Sequence, residues 1–239
     1  MASTYRPSSA FALAKTYVKN MPLEDVQVRI LQAAANQFWL AAPWRWTVGV
    51  FDPTPLTATG NDFAIAGTPV DASVLYLLRA YIDDGQSQKP LVPEAILPAG
   101  VTVKGSPNKV AYISGATPKL RITPVQAALP TGVTPYIFAW YKKSAPIITK
   151  STMATAGLLT FPDEYAWVFE AGVLYYAYLY ADDTRAGGVQ MQMAKDGSSA
   201  PGYSGQLAVF MDAMARLREV EPMVSIYEGD LANVTRRVG

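Results

Sequence analysis

The chain has no histidine and no cysteine among its 239 residues. The first absence removes every His-based triad, and the second removes thiol nucleophiles. Together they exclude Cys/His zinc sites and any disulfide framework. Charge is also scarce: 16% of residues are charged, 20 basic against 19 acidic, for a net charge of +1. That balance does not suit a strongly basic nucleic-acid reader or a polyacidic tail protein. Long hydrophobic runs are missing as well. The best, Ala166 to Tyr180, is interrupted by Glu170, preceded by Asp163 and Glu164, and too short to span a bilayer. The first twenty residues hold no sustained apolar stretch, so no signal peptide is expected and the chain reads as soluble and made inside the cell.

What is present is apolar material in regular patterns. Half of the residues are hydrophobic, and the length allows one large domain or two small ones with a well-buried core. Residues 1–43 read as helical. From Pro22, with Glu24 and Asp25 at the favourable end of the helix dipole, Leu23, Gln27, Ile30, Leu31, Ala34 and Phe38 form a helical stripe that Pro43 closes. A shorter helix is expected over about Ser9 to Lys19. Residues 44–160 carry 12 of the 18 prolines and most of the alternating pattern. Strands are expected at Arg45–Phe51, Asp62–Ala66, Ser73–Tyr81, Lys109–Ser114, Lys119–Thr123 and Tyr136–Lys142, with turns at Asp52-Pro53, Asp84-Gly85, Gly105–Asn108 and Pro130–Gly132. From Pro162 the helical period returns. A nearly all-apolar helix, with Gly172 allowing close approach of a neighbour, is followed by a Gly/Ser-rich loop over Ala186 to Gly205. A last helix then carries Leu207, Phe210, Met211, Met214 and Leu217 on one face.

These patterns predict an α+β fold. A helical bundle of residues 1–43 and 161–221 would receive a large inserted antiparallel β-sandwich-like domain over 44–160, and an extended C-terminal tail would follow over 222–239. Charge follows the same division: +2 for residues 1–43, +4 for 44–160 and −5 for 161–239.

Chemistry is harder to find. Without histidine, acid–base work falls to carboxylates, and Asp83-Asp84, Asp163-Glu164 and Asp182-Asp183 are the adjacent pairs. Sequence neighbours point to different faces, so these read as a turn, a helix start and a helix exit. Ser106-Pro-Asn-Lys109 has the spacing of a serine acyl enzyme but sits in a turn. No phosphate-cradling glycine loop is present. Phe38, Trp39, Trp44 and Trp46 could stack on sugars or bases, but packing at a helix–sheet junction is the better reading. Lys142, Lys143 and Lys150 with Tyr141 read as a solvated strand edge rather than a nucleic-acid contact. No catalytic, cofactor or metal residue is therefore assigned.

Four stretches carry a resemblance by their order. They are Phe38-Trp39 with Pro43-Trp44-Arg45-Trp46; Tyr136 to Lys142; Phe161-Pro-Asp-Glu-Tyr165 running on to Asp183; and Phe210 to Arg218. In this order the chain resembles the head-to-tail adaptor (connector) proteins of tailed bacteriophages. The resemblance spans roughly residues 22–220 and implies a non-enzymatic virion protein at the capsid vertex. It implies a homo-oligomeric ring of about a dozen copies beneath the portal protein, extending the DNA channel and offering a docking surface to tail or nozzle proteins. DNA would pass without sequence-specific binding, and no membrane or cofactor is implied. A C-terminal extension that orders on the portal would correspond here to Met223, Ile226, Tyr227, Leu231, Arg236 and Arg237. The −5 of the last third would suit a channel in which DNA slides without sticking.

A reading from a different class is a binding module whose β-domain recognises carbohydrate or another virion protein. A carboxylate hydrolase is the weakest alternative.

Overall fold

Helix-forming residues and prolines punctuate the chain much as their chemistry dictates. The structure, a computed structural model, describes residues 3–18, 24–56, 60–65, 74–100, 103–126, 128–129, 132–193 and 199–221. Helix α1 (Pro7–Tyr17) begins on a proline whose missing N–H costs nothing in the first turn. Helix α2 (Glu24–Leu40) has Glu24 and Asp25 in its first turn, where Lys150 pairs with Asp25 at 2.6 Å. A 3-10 turn, Asp163–Tyr165, leads into α3 (Ala166–Tyr180), and α4 is Gly205–Val220. Helix α3 packs against α1, α2 and α4. Gly172 admits a side chain of α4: a Cβ there would lie 2.8 Å from the buried Phe210 ring. No helix among the described residues is long and apolar enough to cross a membrane.

The chain divides into a helical unit, residues 3–47 and 145–221, and a β unit, Val48–Ser144. Residues 145–160, read from the sequence as the end of the β-domain, contribute Ile148 and Leu159 to the helical core. Two buried apolar side chains outweighed the polar, turn-like pattern around Pro146 and Gly157.

The β unit contains β1 (Val48–Val50), β2 (Thr54–Pro55), β3 (Asp62–Ala64), β4 (Val74–Asp83), β5 (Gln88–Pro93), β6 (Lys104–Gly105), β7 (Lys109–Ile113), β8 (Lys119–Thr123), β9 (Val125–Gln126) and β10 (Tyr136–Lys143). Its eight-stranded sheet runs β1-β10-β4-β5-β7-β8-β3, with β2 also on β10. Only six residues lie between Pro55 on β2 and Asp62 on β3, at opposite ends of this order, so the sheet must curl. The fully buried Val110, Leu120, Ile122, Ile137 and Ala139 form the centre of its core.

The sheet is mixed, which corrects the all-antiparallel expectation. Val92 pairs with Lys109 and Pro93 with Val110 in parallel. The described residues between β5 and β7 include no helix, so no helical period announces this crossover. Strand β5 itself was not expected, because Pro90 and Pro93 argue against a strand inside a sheet. Lys142 is also corrected: β10 lies between β1 and β4, so this lysine is fully buried on an interior strand rather than at a solvated edge. Burial pulls its ammonium down to about 8.

The expected Gly/Ser loop before α4 contains a hairpin, β11 (Val189–Met193) with β12 (Ser199–Tyr203). The alternation Val-Gln-Met-Gln-Met was the available signal, and the surrounding glycine and serine masked it.

Candidate functional site

The helical unit is held by contacts between residues far apart in sequence. Phe38 and Trp39, at the end of α2, meet Phe161 at ring-centre distances of 5.6 and 6.0 Å. Phe161 also contacts Tyr5 at 5.5 Å and Phe169 at 5.9 Å. Trp44 stacks on Trp46 at 5.6 Å, and Trp46 lies 5.5 Å from Tyr165. The Trp44 indole N–H donates to the Phe38 carbonyl at 2.9 Å, satisfying one of the carbonyls left open at the end of α2. Phe38, Trp39, Trp44 and Phe161 are at most 2% exposed, so these four rings offer no face to a sugar or a base, while Trp46 and Tyr165 are half-buried. All of the ring partners named here lie within the helical unit.

Polar bonds tie the chain ends of this unit to α3. The Asp163 carboxylate accepts from Ser3 Oγ at 2.8 Å, from the Thr4 and Tyr5 N–H groups at 3.0 and 3.1 Å, and from Thr4 Oγ1. The hydroxyls of Thr4 and then Ser3 hold its pKa below the usual carboxylate range. Tyr5 donates to Glu170 at 2.9 Å, and burial, then the Glu170 charge, raises the phenol's pKa. Tyr165 donates to Glu221 Oε2 at 2.8 Å, and this bond, ahead of burial, pushes its pKa up to about 12. Glu221 is 4% exposed. Its other oxygen has no hydrogen-bond partner, and Arg45 Nε stands 3.6 Å away. Several acidic residues of the −5 segment are therefore engaged internally: Asp163, Glu170 and Glu221, with Asp183 capping a 3-10 turn beside Arg185.

Between α2, α3 and α4 runs an open groove of about 540 Å3. Leu40, Met211, Met214 and Tyr176 supply its apolar surface, and Asn36, Gln37 and Arg218 its polar points. The polar points are already ordered: Tyr176 donates to Gln37 Oε1 at 2.7 Å, and Arg218 donates to the Ala41 carbonyl at 2.6 Å. A guanidinium at the carbonyl end of α2 is where the helix dipole favours it. Half-buried Met211 and the 58% exposed Leu40 leave the groove apolar toward solvent. Sequence reading placed Met211 and Met214 in a core stripe. The groove becomes visible only when Leu40 and Tyr176, on other helices, are set beside them.

No family model matches this chain, and no curated protein is similar to it by sequence. The groove and the polar network therefore rest on their own geometry.

The β unit has a smaller concavity of about 300 Å3, bounded by Leu75, Tyr76, Leu77, Pro93, Glu94, Ala95 and Tyr112. Its acidic turn at Asp83-Asp84 is structural. Asp84 accepts from the Gln86 and Ser87 N–H groups at 3.0 and 2.7 Å, which holds its pKa at about 2. Asp62 and Arg121 form a two-bond fork at 2.6 and 2.7 Å. Ser106 and Lys109 flank the start of β7 and not a helix, so the acyl-enzyme geometry is not met. Among the described residues, no three acidic side chains come together to hold a metal ion. Met223, Ile226, Tyr227, Leu231, Arg236 and Arg237 lie outside the described residues.

Proposed function

We propose that this chain is a structural, non-enzymatic virion protein: a head-to-tail adaptor that assembles as a ring below the portal of a tailed bacteriophage. In this reading the helices act as a bundle, with the β unit as its sandwich-like insertion. The ring extends the DNA channel for ejection and offers a docking surface to tail or nozzle proteins. One observation carries it. Two of the stretches behind the resemblance, Phe38 to Trp46 and Phe161 to Tyr165, are more than a hundred residues apart in sequence and meet in one aromatic cluster. The intervening β unit is thus an insertion into a helical body, the element order that the resemblance implies.

The test is native mass spectrometry of the purified chain, alone and mixed with the portal protein of the same genome. About a dozen copies bound to the portal ring is the expected result. A monomer that ignores the portal would overturn the proposal. It would then favour a binding module, for which the concavity beside Tyr76 and Tyr112 is the natural place to seek a ligand.

A further inference from the structure

Strand β4 is flanked on both sides for only part of its length. Over Ala80 to Asp83 it lies between β10 and β5, whereas Val74, Tyr76 and Leu77 are paired with β10 alone among the described residues. Strand β5 leaves it because Val92 and Pro93 turn to β7 in parallel, and Pro93 has no N–H to give to β4. Glu94 N–H follows, donating to the Val110 carbonyl at 2.8 Å. In the gap lies the concavity of about 300 Å3, with Leu75, Tyr76 and Leu77 on one side and Pro93, Glu94 and Tyr112 on the other. Leu75 is 46% exposed and Tyr76 48%, in a strand that is mostly buried from Leu77 onward.

A half-flanked strand beside an apolar concavity specifies the chemistry of its ligand. The backbone groups along that side of β4 repeat at the spacing of another extended backbone, and alternate side chains of such a segment would enter the concavity. The chain itself supplies a segment of this kind. Eighteen residues follow Glu221, with no proline after Pro222, and Val224, Ile226, Tyr227 and Val234 among them favour strands. Charge is complementary at the open end of β4. Lys143, paired with Val74, has no ion-pair partner among the described residues, and the segment offers Glu228 and Asp230.

Length also suffices. Arg45 Nε stands 3.6 Å from Glu221, three residues lead from Arg45 to Val48, Val48 is paired with Lys142, and Lys142 with Tyr76. Taken end to end, two side chains, three residues of chain and two strand spacings come to about 35 Å, whereas eighteen residues extend to roughly 60 Å.

We infer that the C-terminal segment, residues 222–239, adds as a strand alongside residues 74–78 of β4 in its own chain and seats an apolar side chain between Tyr76 and Tyr112. The side of β4 that β5 leaves open is then covered by the chain's own end, and that end is free for another partner only once it has left β4. The inference does not rest on the adaptor reading, and its test needs no portal.

The absence of native cysteine makes the test clean. The full chain carrying Tyr76→Cys and a second cysteine, Ile226→Cys, Leu231→Cys or Val234→Cys, is oxidised in dilute solution. The control pairs the same second cysteines with Val50→Cys, an exposed position on β1 no farther from Glu221 along the same path. At least one Tyr76 pair should close within the chain about tenfold faster than its control, because docking raises the effective concentration above that of a loose tether. Independently, Ile226→Pro combined with Val234→Pro removes two ladder donors from the segment. Amide exchange over residues 74–78 should then quicken about tenfold while β7 and β8 keep their protection. Equal rates in every pair, disulfides only between copies, or unchanged exchange would each overturn the docked segment and leave the adaptor reading standing. Both expected results in a chain that ignores the portal would uphold the docked segment and remove the adaptor reading.

Discussion

The helical unit and the β unit solve the problem of closure differently. The helical core is rich in rings, with Phe38, Trp39, Trp44, Phe161, Phe169 and Phe210 buried together, whereas the β core is dominated by Leu, Ile and Val. Their polar bonds differ in range as well. Asp163 reaches residues 158 to 160 positions away, Tyr5 reaches Glu170 and Tyr165 reaches Glu221. In the β unit, Asp83 and Asp84 bind amides within three residues, while the Asp62–Arg121 fork spans a long separation. One unit is thus pinned together from chain segments that the other unit separates in sequence. The other closes through backbone ladders between distant strands, β1 with β10, β10 with β4 and β3 with β8, while its turn carboxylates act locally.

The strongest way to break this comparison is to remove its central ring. Phe161→Ala leaves a cavity facing Tyr5, Phe38, Trp39 and Phe169 and should destabilise the helical unit by about 3–5 kcal/mol. Hydrogen exchange read by mass spectrometry should show α2 and α3 losing protection while β7 and β8 keep theirs. Leu120→Ala, in the β core, should cost about 2–5 kcal/mol with the reverse pattern. If either variant exposes both units equally, the two cores form one cooperative system and the distinction fails.

A smaller effect tests the long-range polar bonds. Tyr165→Phe removes the donor to Glu221 Oε2 and leaves a buried carboxylate with neither oxygen hydrogen-bonded, since Arg45 reaches only 3.6 Å from Oε1. The expected cost is about 1–3 kcal/mol by urea denaturation. Adding Glu221→Leu should recover much of it, because an apolar pair does not leave a buried acceptor open. A double variant as unstable as Tyr165→Phe alone would mean that the loss comes from ring packing against Trp46 instead.

How much of this was legible in the sequence also divides by unit. The stripes of α2 and α4 and the strands β7, β8 and β10 follow directly from period and turn residues. Strand β5 was hidden because the prolines at 90 and 93 are accommodated among neighbouring strands, an outcome that local propensity does not encode. The hairpin was hidden by composition, and the burial of Lys142 by its charge, which statistics assign to the surface. The groove was out of reach for a different reason. Its walls come from three helices, and which faces of α2, α3 and α4 remain uncovered is decided by packing, not by any one stripe. The aromatic cluster lay between these cases: the residues could be named, but not their meeting with Phe161.

The smallest expected effects are pH slopes, which rise with pH in both units but in separate windows. Asp163 is held below the ordinary carboxylate range by the hydroxyls of Thr4 and Ser3. A carboxylate depressed in the folded state contributes stability that is present above its unfolded value, about 3.9, and lost as pH falls through its folded value. The helical unit should therefore weaken below about pH 4, and Asp163→Asn should flatten that acid limb while releasing the amides of Thr4 and Tyr5 to exchange. Lys142 gives a slope of the same sign in an alkaline window, because burial lowers its pKa to about 8. Between that value and about 10.4 the unfolded chain binds the proton and the folded β unit does not, so stability rises with pH. Protection of β10, corrected for intrinsic exchange, should grow from pH 8 to 10. Lys142→Met should abolish that rise and leave the acid limb intact, while Asp163→Asn should do the reverse. A substitution that moves both limbs would mean that the two units do not titrate independently, and the contrast between them would have to be given up.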